Sequence, residues 1–582
     1  MRKFLLTLSG VLFLMFYGLS QKTISGVVTD SKDGSPVVSA SVTAGKAGTR
    51  TDADGKFSIT VGNNVKQLTF STVGYLAQDV TIGALSTINV ALKADDGNLK
   101  EVVVTAFGIK KDKKTLGYDV TQLNNQELTQ AHTTNITNAL GGKIPGVRVS
   151  GAGGSFTGSS IIIRGYNTFT GSNQPLFVID GIPIDNGGGG QALQSGAPVS
   201  NRGIDINQED VESMTVLKGP AAAALYGSRA SNGAIIITTK KGKVKGKNNI
   251  QFSSSYALES VNRLPDYQNE YGQGLNGTYI NTQQNSWGPR ITGQTVTNWF
   301  NKTEQLAAYR NNVSDMFRNG ENIQNNVSFS GGTDKNTFRF SYGNLINTGI
   351  LDNNRLVRHN FSINVSSKIT DKLTTSISAN YVNNASRRTQ QGNQLSNPLF
   401  RSWFIPRSYD LTNLPFEDAI GNQLFYGGED NPYWTIKHNR FKDEINRMIG
   451  NVSLNYKLTN WLQADYKIGT DVYSTFRHGY DQIGARGGAN TSAALKGGVF
   501  ETRNQYRSLN SNFFLSFNKR FHNFTTSAIV GNEIQQVYSA TAGVTGLGVI
   551  VRDFEQLKNT TTFFPSNGSS QTRLIGIYGD LL

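Results

Sequence analysis

Histidines, cysteines and clustered carboxylates build most metal and nucleophilic sites, and this chain is poor in the first two. Its five histidines, His132, His359, His438, His478 and His522, never fall at the i, i+3 or i+4 spacing of a ligand pair, and there is no cysteine. Disulfide frameworks and Cys-based zinc sites are thereby excluded, and other metal chemistry is disfavoured. Four carboxylates, Asp180, Asp205, Asp210 and Glu212, share one stretch. Paired carboxylates can run acid–base catalysis, but each of these stands at a strand end or helix edge, where turn and capping roles are common, so we read them as structural. No G-x-S-x-G elbow and no G-x-x-x-x-G-K-[ST] loop occurs, and Gly151-Ala152-Gly153-Gly154-Ser155-Phe156 breaks the dinucleotide pattern. The reading is therefore not an enzyme, with no cofactor and no resident metal.

The formal charge of +15 raises the question of nucleic acid. Nine lysines, however, lie in two short runs, Lys110 to Lys114 and Lys240 to Lys247, and no stacking aromatics are interleaved with them. We read these runs as solvated linkers or as surfaces attractive to anionic lipid, and expect no nucleic-acid partner.

The elements are mainly β. Residues 1–20 read as an export signal, since Arg2 and Lys3 precede an apolar run from Phe4 to Phe16, with Gly18 and Ser20 at small-residue cleavage positions. No later stretch is apolar for long enough to form a membrane helix, so any span must be a β-barrel. Residues 21–95 alternate as short strands and turns, which predicts a small β-sandwich. Within it, Asp52-Ala53-Asp54-Gly55 is read as a tight turn in preference to a calcium loop.

In the linker, residues 96–114, the β-prone segment Glu101-Val102-Val103-Val104-Thr105-Ala106 stands between polar flanks. It is either a free edge able to add to another protein's sheet or the next strand of a neighbouring domain. Residues 115–243 predict a small α+β domain of three buried strands with an Ala-rich helix from Pro220.

Residues 244–582 carry long amphipathic strands. Phe338, Phe340 and Tyr342 alternate with Arg339, Ser341 and Gly343, and Phe361, Ile363 and Val365 alternate with Asn360, Ser362 and Asn364. Tight turns near 332–336, 369–372, 458–461 and 519–523 alternate with long connections near 259–322, 384–446 and 474–508. That asymmetry and the one-faced apolar pattern predict an antiparallel transmembrane barrel. About nine strands and the start of a tenth near Gln571 are expected.

Several segments also resemble known families. Gly26, Asp30, Gly34, Pro36, Ala40, Val42, Thr51, Asp52, Gly55 and Phe57 resemble the carboxypeptidase-regulatory-like, transthyretin-like module. Leu140-Gly141-Gly142-Lys143-Ile144-Pro145-Gly146-Val147, Ile161-Ile162-Ile163-Arg164-Gly165, Val178-Ile179-Asp180-Gly181, Glu212, Lys218-Gly219-Pro220, Tyr226-Gly227-Ser228-Arg229 and Asn232-Gly233 resemble the plug of TonB-dependent outer-membrane receptors, of the SusC/RagA type. Gly219-Pro220 departs from the Asp-Ala more common in SusC-type chains and matches the wider family.

The resemblance implies an outer-membrane transporter whose TonB box is Glu101, Val102, Val103, Val104, Thr105 and Ala106. It implies TonB, energised with ExbB and ExbD, as the pulling partner and a SusD-like surface lipoprotein as a lid. Oligosaccharide is the leading cargo, oligopeptide the alternative. It also implies a barrel of about 22 strands, so that roughly 400 further residues would be needed for closure. Arg164 and Lys218 match basic plug positions that pair with barrel-wall carboxylates, which are expected in that further half. Loop tryptophans Trp287, Trp299, Trp403 and Trp434 could stack on sugar rings or anchor at the membrane interface. A TonB-linked signalling receptor and a secreted adhesive β protein are the competing readings.

Overall fold

The computed structural model describes residues 21–45, 47–62, 65–72, 75–83, 86–93, 102–104, 110–112, 119–151, 158–169, 171–187, 201–219, 222, 226–244, 248–390, 396–486, 494–521 and 524–581. The expected signal segment, and Glu101, Thr105 and Ala106 of the linker, lie outside the described residues. The chain divides into two compact units, the first essentially the N-terminal sandwich and the second holding residues 115–582.

The sandwich has a three-stranded sheet, with Gln21–Asp30 between Lys56–Gly62 and Val90–Leu92, and a four-stranded sheet built on Ser41–Ala44 and Gln67–Ser71. Strict alternation in Lys56–Gly62 puts Phe57, Ile59 and Val61 on one face, where they pack with Ile24, Val42, Leu68 and Phe70. The turn before that strand is an Asx turn: the Asp52 carboxylate accepts from the Asp54 N–H (3.0 Å) and the Lys56 N–H (2.8 Å), and Gly55 takes φ +73°.

The α+β domain is richer in strands than expected. A five-stranded sheet runs Val120–Asn124, Val211–Leu217, Ala234–Thr239, Leu176–Ile179, Ile182–Ile184, and Val147–Gly151 pairs separately with Ser159–Ile163. The central strands are rich in β-branched residues and, apart from Glu212 and Thr238, buried because both faces are covered. Edge strand Val120–Asn124 is among those the sequence pattern missed; it leads into a short helix, Asn125–Thr129, closed by an Asn124/Glu127 capping box. The Ala-rich helix expected from Pro220 falls mostly on residues outside those described.

Ten antiparallel strands form the third part: Asn249–Glu259, Gly320–Gly332, Asn336–Thr348, Arg355–Lys368, Leu373–Arg388, Arg440–Lys457, Leu462–Asp481, Gly498–Phe521, Phe524–Val549 and Thr560–Leu581, each paired with its predecessor in this list. Their polarity is the inverse of a water-soluble sheet. One register row, Phe252, Val327, Tyr342, Phe361, Tyr381, Met448 and Val472, runs across seven strands on the outward face, and six of its seven residues are 38–69% exposed. The row Ser328, Ser341, Ser362 and Asn380 on the inward face is buried. Exposed apolar and buried polar rows suit lipid outside and a filled, polar lumen within. No helix among the described residues is long and apolar enough to cross a membrane.

Strands run from 11 to 26 residues, longer than the ten or so expected, because the ladder continues past the apolar band into outward rows such as Lys442, Glu444, His478 and Glu501. Polar side chains on both faces hid those extensions, and the long connections shrink accordingly to residues 389–439 and 482–497.

Candidate functional site

The α+β domain and the inward wall of the ten-stranded sheet meet through buried charge. Residue Asp205 ends the short 3-10 helix Arg202–Asp205, and its carboxylate is paired with Arg447 at 3.1 Å and accepts from Asn384 Nδ2 at 3.1 Å. Arg447 projects inward because alternation along Arg440–Lys457 sends Asp443, Ile445, Arg447 and Ile449 to the lumen side. Its guanidinium grips Asp471 with Nε (2.9 Å) and Nη2 (2.8 Å), and Nη2 also donates to the Asp185 carbonyl at 2.7 Å. The side chains of Arg447, Asp205 and Asp471 are all fully buried. Such a cluster persists only when its lone pairs and protons are satisfied, as they are here.

Further contacts extend the seam. Asp210 accepts from Arg339 Nη1 (2.8 Å) and Ser341 Oγ (2.6 Å). The Asp185 carboxylate accepts from Tyr473 Oη at 2.6 Å, and Lys467 Nζ donates to the Asp180 carbonyl at 2.8 Å. At the other end Arg229 pairs with Glu533 at 2.8 Å and donates to Gln535.

The carboxylates read from sequence as structural therefore divide. Asp180 and Gly181, with φ of +48° and +86°, form the two-residue turn joining Leu176–Ile179 to Ile182–Ile184, and Asp180 accepts from Thr239 N (3.0 Å) and Oγ1 (2.6 Å). Asp205 and Asp210 dock onto the wall, over separations of 242 and 129 residues. Glu212 is exposed on its strand.

Lys218 binds Asp119 of its own domain at 2.9 Å, and Arg164, at φ +57°, makes no ion pair among the described residues. Among the described residues, acidic groups of the domain meet basic groups of the wall at Asp205–Arg447 and Asp210–Arg339, and Arg229–Glu533 runs the other way. Tyr226 is buried with Val178, Ala230 and Phe514; Asn232 donates to the Ser172 carbonyl at 2.6 Å. Gly165 and Gly227 take φ +101° and +68°. Gly233, at φ +92°, would bring a Cβ to 2.9 Å of Ile163 and of the Leu217 carbonyl, so only glycine fits.

In the linker, Val102–Val104 pairs with Lys110–Asp112 as a two-stranded sheet. This corrects the picture of an isolated segment, because a lone strand leaves its backbone groups unpaired and a second stretch of the linker supplies partners.

Loop tryptophans also divide. Trp287 and Trp403 are 62% and 47% exposed, whereas Trp299 packs against a loop core of Met316, Ile405, Tyr409, Leu411, Phe425, Tyr426 and Ile436. Trp434 is 0% exposed and donates Nε1–H to the Gly421 carbonyl at 3.0 Å, which removes it from any stacking role. Trp434→Ala should cost about 3–5 kcal/mol of loop stability, read as faster limited proteolysis within residues 396–439.

Comparison with known proteins places these modules. Residues 112–234 match the TonB-dependent Receptor Plug Domain and residues 24–104 the CarboxypepD_reg-like domain. The chain is 31% identical over 492 residues to the TonB-dependent receptor SusC of Bacteroides thetaiotaomicron, covering 78% of this chain and 45% of that one. It is 26% identical over 588 residues to the TonB-dependent receptor P3 of Formosa agariphila, covering 98% of this chain and 54% of that one. Among solved structures, the RagAB peptide importer in its open-open state matches with a TM-score of 0.63 at 18% identity, covering 82% of this chain and 54% of that one, a likeness of fold. The chain spans about half the length of the curated relatives it matches.

Proposed function

We propose, from the premise that this chain is a SusC/RagA-type TonB-dependent outer-membrane receptor, that it gates an energised importer of large nutrients. What carries the reading is one sheet with two opposite faces, the outer one apolar and exposed, the inner one gripping a plug through buried ion pairs. A plug held by charge and hydrogen bonds in a hydrated lumen is occlusive yet releasable, whereas a seal made of apolar contacts would resist rehydration.

The pull enters at Val102–Val104. TonB adds a strand there through main-chain hydrogen bonds, either on the edge left open by Lys110–Asp112 or by displacing that strand. Lys218 clasps Asp119 where the linker reaches the plug, and the next element, Val120–Asn124, is an edge strand paired only with Val211–Leu217. Tension therefore meets a strand that can peel one residue pair at a time. The energised partner is TonB with ExbB and ExbD, and a SusD-like lipoprotein closes the outer mouth. The cargo is an oligosaccharide in the leading reading and an oligopeptide in the other; exposed Trp287 and Trp403 lie on the long-connection side.

These 582 residues hold no cysteine, so Val103→Cys introduces their one thiol. It should be trapped as a disulfide by a cysteine placed in the strand-adding region of TonB, more strongly when cargo is present. No capture in either condition would contradict the box assignment.

A further inference from the structure

Four residues beyond the plug-gripping row, towards the long connections, the inward wall carries a second polar cluster that the plug does not use. Two adjacent register rows cross four strands there: Ser386, Asp443, Arg477 and Thr502, then Arg388, Phe441, Gly479 and Phe500. They line a cavity of about 280 Å³ together with Gln390 and Asp481. That lies near the lower end of small-ligand pockets, about 300–1,000 Å³, and suits one ring better than a chain.

The cluster is unfinished. Both carboxylate oxygens of Asp443, Gln390 Oε1, Asp481 Oδ1 and Arg477 Nε are buried without a hydrogen bond, although Asp443 and Gln390 are more than nine-tenths buried. Arg477 Nε stands 3.7 Å from Asp443, an ion pair too long to be a hydrogen bond. Buried polar atoms left open at such a density call for a ligand or ordered water. With Lys442 also on the lining, Arg388 and Arg477 face Asp443 and Asp481, so a guest of either sign meets a like charge as well as an opposite one. What is missing is a neutral guest that donates to carboxylate and amide oxygens and accepts from guanidinium nitrogens at neighbouring points, which is what ring hydroxyls do. Half-buried phenyl rings of Phe441 and Phe500 lean over Gly479, where an added Cβ would lie 3.1–3.2 Å from both, and offer an apolar surface beside the polar row.

We infer that Asp443, Arg477 and Gln390, with Phe441 and Phe500, form a subsite for one neutral sugar ring of the cargo, the last wall contact before the plug. The inference rests on the import reading above and narrows its cargo to the glycan class. Asp443 and Arg447 lie on the same face of one strand, so occupancy of the subsite adjoins the Arg447 clasp.

The test is thermal stabilisation of the purified receptor in detergent, which needs no energy coupling and so fails independently of TonB dependence. The probes are neutral gluco-, manno-, galacto- and xylo-oligosaccharides of three to six units, with alanine oligopeptides of the same lengths. At least one sugar should stabilise the wild type, and Asp443→Asn should weaken its binding on the order of tenfold to a hundredfold. Phe441→Leu should weaken it as well, and serves as the variant should Asp443→Asn fail to fold. Stabilisation by none of the sugars, by the peptides alone, or by a sugar whose affinity survives both substitutions would overturn the proposal.

Discussion

Val103→Pro abolishes energised uptake while cargo binding at the cell surface stays at its wild-type level. Proline fixes φ and has no N–H, so it deletes a ladder donor from a strand of only three described residues, Val102–Val104. Strand addition to TonB spreads load over a few hydrogen bonds acting in parallel, and removing one near the centre leaves too few to share the pull. The same change unpairs the strand from Lys110–Asp112, which by itself would free an edge and favour capture; loss of uptake thus isolates the missing donor as the cause. The readout is radiolabelled cargo, bound and internalised, in cells carrying each version of the receptor. Internalisation at the wild-type rate would contradict the box.

Arg447→Ala loosens the plug. It strips Asp471 of its counter-charge, leaves Asp205 only the longer Arg202 pair at 3.6 Å, and leaves the Asp185 carbonyl without its guanidinium donor. Removing one partner of a buried ion pair costs about 3–5 kcal/mol, since the remaining carboxylates stay desolvated. Plug amides in residues 201–217 should exchange with solvent faster by two or more orders of magnitude, given about 1.4 kcal/mol per tenfold. Outer-membrane permeability to large antibiotics should rise alongside. Combining Arg447→Met with Asp471→Asn removes the stranded charge while Asp205 keeps Arg202 at 3.6 Å, and should recover most of the protection, which separates the electrostatic cause from lost packing. Unchanged exchange in Arg447→Ala would remove the docking role from this cluster.

The sequence made the strands legible because lipid on one side and a polar lumen on the other write opposite chemistry on alternate residues. Phe361, Ile363 and Val365 beside Asn360, Ser362 and Asn364 needed no tertiary information. Strand ends were not legible in the same way: above the apolar band Lys442, Glu444 and Asp443 are polar on both faces, and a paired ribbon there looks like loop. The docking seam was hidden for a different reason. Asp205 and Asp210 do stand at element ends, where capping is the usual role, and nothing local announces that Arg447 and Arg339 lie opposite them.

A hint was present in retrospect: Arg339 and Arg358 occupy strand faces made mostly of serine, asparagine and threonine, and Arg447 stands between Ile445 and Ile449 on the inward face of its strand, and in either setting a full positive charge needs a partner. Trp434 illustrates the reverse limit. Aromatic density in residues 396–439 marks a loop with its own core as readily as a binding surface, and only packing tells which tryptophans are consumed by it.

The most direct measurement is the rate of cargo uptake through this receptor in otherwise identical cells with and without TonB. Uptake should fall to the background of receptor-less cells when TonB is absent, with surface binding retained. Entry at the same rate in both strains would mean that the plug opens without being pulled.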